Sequence, residues 1–126
     1  VFEELRKRAI VISNNKGYCT RKNHVAFIVK RNAIYAIGWN KIKTHPRMRL
    51  SSGYNFLSTQ LHAELDAIIK FGKDDCRKYE LVVVRINNRG QLKYSRPCAG
   101  CTEMIKQVGF RAVWYSTSEG FIKLEE

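Results

Sequence analysis

Residues 60–86 read QLHAELDAIIKFGKDDCRKYELVVVRI, and the fold can be worked out from this stretch. Leu61, Leu65, Ile68 and Ile69 repeat at helical spacing, and Gly72 stands where a left-handed cap would end the helix. A helix is therefore expected over Gln60–Phe71. Leu81–Ile86 is a nearly unbroken β-branched run, as in a strand buried on both faces. The pattern then repeats. Cys98–Val108 reads as a second helix stopped by Gly109, and Ala112–Tyr115 as another buried strand. Toward the N-terminus, His24–Lys30 and Ala33–Trp39 form two short apolar runs joined at Arg31-Asn32, a hairpin signal. Phe2, Leu5, Ala9 and Ile12 give Phe2–Ser13 a helical period, and Phe121–Leu124 follows a turn at Ser118–Gly120 as a last short strand. Asn40–Thr59 reads as a long irregular stretch, a length that usually serves function.

Helices alternating with buried strands imply crossovers and a layered sheet. The expected architecture is α/β: a three-layer α/β/α sandwich around a mixed, mostly parallel five-stranded sheet. It forms a single domain over residues 1–126. Ligands of such sheets sit beyond the carboxyl ends of the strands. Asn40, His62 and Cys98 each follow a strand and point to one such edge.

Composition narrows the partners. The apolar fraction of 44% is that of a globular chain, and no apolar run approaches the roughly 20 residues that span a bilayer. No membrane partner and no signal peptide are expected. Four cysteines, two of them three apart, suit a metal or redox site in a reducing cytoplasm better than a disulfide scaffold. The net charge of +12 is unevenly spread. No Asp or Glu lies between Leu5 and Ala63, where twelve Lys and Arg fall; the other eleven basic residues are matched by eleven acidic ones. A one-sign field of this kind attracts nucleotides or single-stranded nucleic acid.

The chemistry is concentrated in His62-Ala63-Glu64 and, after 32 intervening residues, Pro97-Cys98-Ala99-Gly100-Cys101. Imidazole and thiolate are zinc ligands, and a catalytic site uses three protein ligands with one position left for water. Cys98 and Cys101 share a helix face, and a helix N-terminus favours thiolate. Pro97 suits a position that needs no amide donor. His62 and Glu64 are about 200° apart around a helix, so they can face one point only from its first turn. Both helix N-termini should therefore aim at the metal. Glu64 as a fourth ligand would close the site; beside the water it can take and return protons instead. A structural zinc knuckle and an unmetallated redox C-x-x-C are the competing readings.

The H-x-E and P-C-x-x-C pair resembles the signature of the zinc-dependent cytidine and deoxycytidylate deaminase superfamily, which includes tRNA adenosine deaminases. The likeness extends from about His24 to Ser116. It implies a cytidine deaminase-like fold, a Zn2+ cofactor held by His62, Cys98 and Cys101, and Glu64 as the catalytic proton carrier. Gly38-Trp39-Asn40 looks like the family's G-x-N segment, whose Asn contacts the substrate sugar or base. Followed by Lys41, it is also similar to the tRNA adenosine deaminases. The backbone at Ala63 would bind the ring edge, and a homo-oligomer would be in keeping with the family. The sequence departs from the pattern in its long 40–62 segment, in Arg96 before the Pro-Cys pair, and in lacking a clear helix after Tyr115.

The expected function is zinc-dependent hydrolytic conversion of cytosine to uracil in a cytidine or deoxycytidine nucleotide or in single-stranded nucleic acid. A tRNA-type adenosine deaminase and a non-catalytic nucleic-acid-binding zinc module are the alternatives. Asn40, Ala63, Trp39, Lys41, Lys43, His45 and Arg96 are the candidate substrate contacts. Arg47 and Arg49 are further phosphate candidates, Tyr54 and Phe56 could stack on a base, and Cys19 and Cys76 read as ordinary thiols.

Overall fold

The computed structural model describes residues 2–15, 23–42, 60–72, 76–87 and 89–124. The elements are α1 (Phe2–Asn15), β1 (Asn23–Lys30), β2 (Ala33–Trp39), β3 (Lys41–Ile42), β4 (Gln60–Leu61), α2 (Ala63–Phe71), β5 (Glu80–Ile86), β6 (Leu92–Lys93), α3 (Ala99–Val108), β7 (Ala112–Thr117) and β8 (Gly120–Lys123). The main sheet runs β2-β1-β5-β7-β8, with β6 also paired to β5.

Side chains alternate across this sheet. Val25, Phe27 and Val29 of β1, with Val82, Val84 and Ile86 of β5, pack under Leu5 and Ala9 of α1. Ala26, Ile28, Leu81 and Val83 face the other way, onto Ala67 and Ile68 of α2 and Ile105 and Val108 of α3. One helix thus covers one face and two cover the other, as the sandwich reading requires. β5 is central because burying each Val, Leu or Ile contributes about 1.5–3 kcal/mol, and all five of its Val, Leu and Ile residues are buried.

The expectation of mostly parallel pairing is corrected. Among the described residues only β5 and β7 pair in parallel; β1/β2, β1/β5, β5/β6 and β7/β8 are antiparallel. β2, β5 and β7 do run the same way, as helical crossovers demand. However, β1 lies between β2 and β5 and turns what would be one parallel contact into two antiparallel ones.

The start of α2 is also corrected. Gln60 and Leu61 belong to a small second sheet, paired with Ile42 and Lys41, and the helix begins at Ala63. Leu61 fits the helical stripe, but strand pairing with the segment after Asn40 determines its backbone. The C-terminal caps are as the sequence indicates: the Gly72 and Gly109 amides donate to Ile68 O and Ile105 O from left-handed φ values of 73° and 78°.

Gly38 allows α2 to lie directly on β2. A Cβ at this position would overlap the Ala67 amide nitrogen and the Ala63 carbonyl. Both obstacles are backbone, so rotamer changes cannot relieve them. Gly38→Ala should therefore lower stability by about 1–3 kcal/mol and weaken zinc retention, because α2 follows directly from His62. Denaturant melts and metal analysis of the purified variant check this.

Candidate active site

The site lies where two helices begin. His62 precedes α2 in extended conformation (φ −72°, ψ 152°), and its carbonyl accepts from the Asp66 amide. Cys98 precedes α3 in the same way (φ −69°, ψ 172°), and its carbonyl accepts from the Thr102 amide. Each residue thus stands at the positive end of a helix, where orphan amides favour negative charge.

The two helix starts converge. His62 Nδ1 lies 3.3 Å from Cys101 Sγ and 3.4 Å from Cys98 Sγ. The Cys101 amide donates to Cys98 Sγ at 3.4 Å. All three donor atoms fall within 4.8 Å of one another. A tetrahedral zinc with normal bond lengths would place nitrogen and sulfur roughly 3.6 Å apart, so this donor set fits the ion. Glu64 does not join the cluster, which leaves three protein donors among the described residues.

Electrostatics match the geometry. Cys98 is held down to about 4, first by its hydrogen bond with the Cys101 thiol, then by the His62 ring and the Cys101 amide, against the opposing effect of burial. His62 is raised, mainly by its hydrogen bond with Cys98, with burial opposing. Burial pushes Glu64 upward, since the residue is only 5% exposed; the nearby His62 acts in the other direction. A carboxyl that holds its proton more readily than usual suits proton transfer near neutral pH.

A cavity of about 240 Å³ opens beside the three donors. It is lined by His24, Asn40, His62, Ala63, Glu64, Arg96 and Cys98. Of the candidate substrate contacts, Asn40, Ala63 and Arg96 are therefore brought to one space with Glu64. The His24 amide donates to Asn40 Oδ1 at 3.3 Å and orients the carboxamide. Trp39 is not among the lining residues; its ring lies under Lys70 Nζ, 3.7 Å from the ring centre. Lys41 is in β3, immediately after Asn40. Lys43, His45, Arg47, Arg49, Tyr54, Phe56 and Cys19 lie outside the described residues. Cys76 is fully buried in the core.

Several positioning residues went unread in the sequence. Asp66 accepts from the Trp39 amide at 3.1 Å and pairs with Lys70 at 3.0 Å, fixing the end of β2, and hence Asn40, to α2. In the sequence it is an ordinary helical acid four residues before Lys70. Ser95 and Ser116, both buried, fix the chain that leads to Cys98. Ser95 Oγ donates to Val83 O at 3.0 Å and accepts from the Ser116 amide at 2.8 Å. Ser116 Oγ accepts from the Arg85 amide at 3.0 Å and donates to Lys93 O at 2.6 Å. The parallel register of β5 and β7 ends at Val83/Tyr115, and β6 then takes over as the partner of β5. The strands splay there, and residues 94–97 pass through the gap to the site. No short motif marks two serines 21 residues apart. His24 could have been placed opposite Asn40 by counting back from the hairpin, except that a bulge between Ile28 and Val29 shifts the count.

An imidazole and two thiols at paired helix N-termini, with a buried carboxyl alongside, make the donor set of a zinc-dependent hydrolase. The family model described as "Cytidine and deoxycytidylate deaminase zinc-binding region" matches residues 2–117, and the chain belongs to that family. It is similar to the dCMP deaminase of cyanophage S-TIM5. In complex with dCMP and dUMP, that enzyme is 28% identical with a TM-score of 0.59, over 90% of this chain and 78% of that one. Its apo form gives 25% identity and a TM-score of 0.55, over 89% and 82%. The cytidine deaminase of Mycobacterium leprae, 17% identical, shares the fold with a TM-score of 0.53 over 96% and 91%. Among curated protein sequences none matches the chain. No helix among the described residues is long and apolar enough to cross a membrane.

With Cys98 held near 4, its thiolate is present throughout the neutral range in the metal-free protein. Iodoacetamide should therefore alkylate Cys98 at a rate that stays nearly level from pH 8 to about pH 5 and falls only on approach to pH 4. Zinc should protect it. Mass-mapped alkylation across pH, with and without zinc, reads both effects; an inflection near the ordinary thiol value would contradict the assignment.

Proposed function

We propose that the chain converts cytosine to uracil in a cytidine or deoxycytidine nucleotide or in single-stranded nucleic acid, with His62, Cys98 and Cys101 as the zinc ligands. The observation that carries this reading is a three-donor cluster, rather than a closed four-donor one, sharing its cavity with the buried Glu64. A purely structural zinc would call for a fourth protein donor and would have no use for the carboxyl.

When bound, zinc supplies Lewis acidity that makes hydroxide available at neutral pH. Glu64 takes a proton from the attacking water and passes it to ring N3 as the new C4–O bond forms. It then takes the proton of the new hydroxyl and gives it to the exocyclic amine. The C4–N bond breaks, ammonia leaves, C4 becomes a carbonyl and Glu64 returns to its starting state. One water is consumed and one ammonia released. Asn40 and the Ala63 backbone, both lining the cavity, are suited to hold the sugar and the ring edge. Arg96, exposed at the same cavity, is suited to a phosphate. The nucleotides held by the similar phage enzyme support a nucleotide unit as the ligand.

The test is a substrate panel of cytidine, dCMP, dCTP, single-stranded DNA, RNA and tRNA, read by mass and ammonia release. Glu64→Gln should lower kcat by about 10²–10⁴-fold while zinc content stays unchanged. Equal conversion by wild type and variant, or conversion of adenosine in tRNA alone, would overturn the proposal.

A further inference from the structure

A second cavity, of about 350 Å³, lies along the flank of α3 against the start of β7 and the end of β8. Four of its lining residues are cations, Arg96, Lys106, Arg111 and Lys123, and none of the described residues lining it is acidic. Phe110 contributes a partly exposed ring to the wall. All four cations are exposed. Arg96 also lines the cavity that holds Glu64 and Asn40, so one guanidinium borders both spaces.

The layout is directional. Cys98 and Arg96 stand at the start of α3, and Arg111 lies just beyond its end. A helix of 10 residues is about 15 Å long, so the cations are spread along a track rather than gathered at a point. A track of this length has room for more than one phosphate, whereas the cavity beside Glu64 offers Arg96 alone among the described Lys and Arg residues. Spaced cations with an interleaved aromatic ring are how single strands are followed without reading their sequence.

We infer that the α3 groove carries the strand flanking the target nucleotide, so that this chain acts on a cytosine within single-stranded nucleic acid. The inference rests on the deaminase reading above. The flanking backbone passes Arg96 as it leaves the active-site cavity, then meets Lys106, Lys123 and Arg111, while a flanking base can stack on Phe110. A free nucleotide bound separately in the groove would use the same phosphate chemistry, and the experiment separates the two.

Binding of a fluorescein-labelled oligodeoxycytidine to the zinc-loaded protein is followed by anisotropy at several salt concentrations. Wild type is compared with the triple variant Lys106→Ala, Arg111→Ala, Lys123→Ala. The control triple, Lys7→Ala, Arg8→Ala, Arg89→Ala, removes the same charge from exposed positions away from the groove. The groove triple should weaken binding at least tenfold and reduce the salt slope by about 2, the value for three lost phosphate contacts on a single strand. The control should change binding far less. Turnover of the oligonucleotide should fall in parallel, with dCMP turnover unchanged. Equal losses in the two triples, no loss in the groove triple, or a loss of dCMP turnover with oligonucleotide turnover unchanged would overturn the inference. If wild type deaminates nothing, the deaminase reading fails on its own, and the binding comparison still decides whether the groove holds a strand.

Discussion

Two helices from different parts of the chain have to start close enough for one imidazole nitrogen to touch two sulfurs, at 3.3 and 3.4 Å. The surrounding structure can be understood through that requirement. Helix starts carry unpaired amides, so bringing two together concentrates positive potential that suits thiolates and would repel a resident cation lacking them. The sheet has to let both helices approach from one edge. It does so through a side-chain-free residue, Gly38, under α2, and through the splay of β5 from β7 under the start of α3. Asp66 and the Ser95/Ser116 pair then hold the two approaches in place with buried hydrogen bonds. An unpaired polar group at such a depth would cost about 1–3 kcal/mol, so these contacts restrict the geometry as well as stabilise it.

Much of this can be read from the sequence because the relevant signals are local. The period of α1, the hairpin at Arg31-Asn32, the buried run of β5 and the capped α3 each lie within a few turns of chain, and each is found where its pattern places it. Local pattern also locates the metal half-motifs, since His62 and Cys98 each stand one residue before a helix. What cannot be read depends on distant pairing. Leu61 matches the stripe of α2 but is claimed by Lys41, and nothing near either residue announces the other. The direction of pairing is similarly hidden. Strand-helix-strand order fixes which way β2 and β5 point, yet not that β1 comes between them. Tyr115 and Trp114 illustrate the finer limit. Adjacent in one strand, one ring is buried in the core, while the other meets Phe2 at a tilt and donates to Glu80.

The site residues divide along the same line. Chemistry-bearing types at short spacing, the H-x-E and the C-x-x-C, stand out in one dimension. Residues that set their posture, such as Asp66, Ser95 and Ser116, are ordinary polar residues whose importance comes from burial alone. Trp39 shows the reverse: a conspicuous aromatic beside Asn40 proves to be engaged with Lys70 on α2. The charge asymmetry of the chain is similarly a statement about composition, whereas the side chain that borders both cavities, Arg96, belongs to the half with no net charge.

The position of α1 has a consequence for how the chain is made. Arg6 donates to the Gly90 carbonyl, 84 residues further on, and the apolar stripe of α1 rests on β5 as well as β1. During synthesis at about 5–20 residues per second, this helix emerges roughly 4–17 s before its resting place exists. Through that interval the apolar stripe of α1 can meet only the β1/β2 hairpin, so its cover stays incomplete until β5 has been made. The helix that covers the opposite face, α3, is made later still.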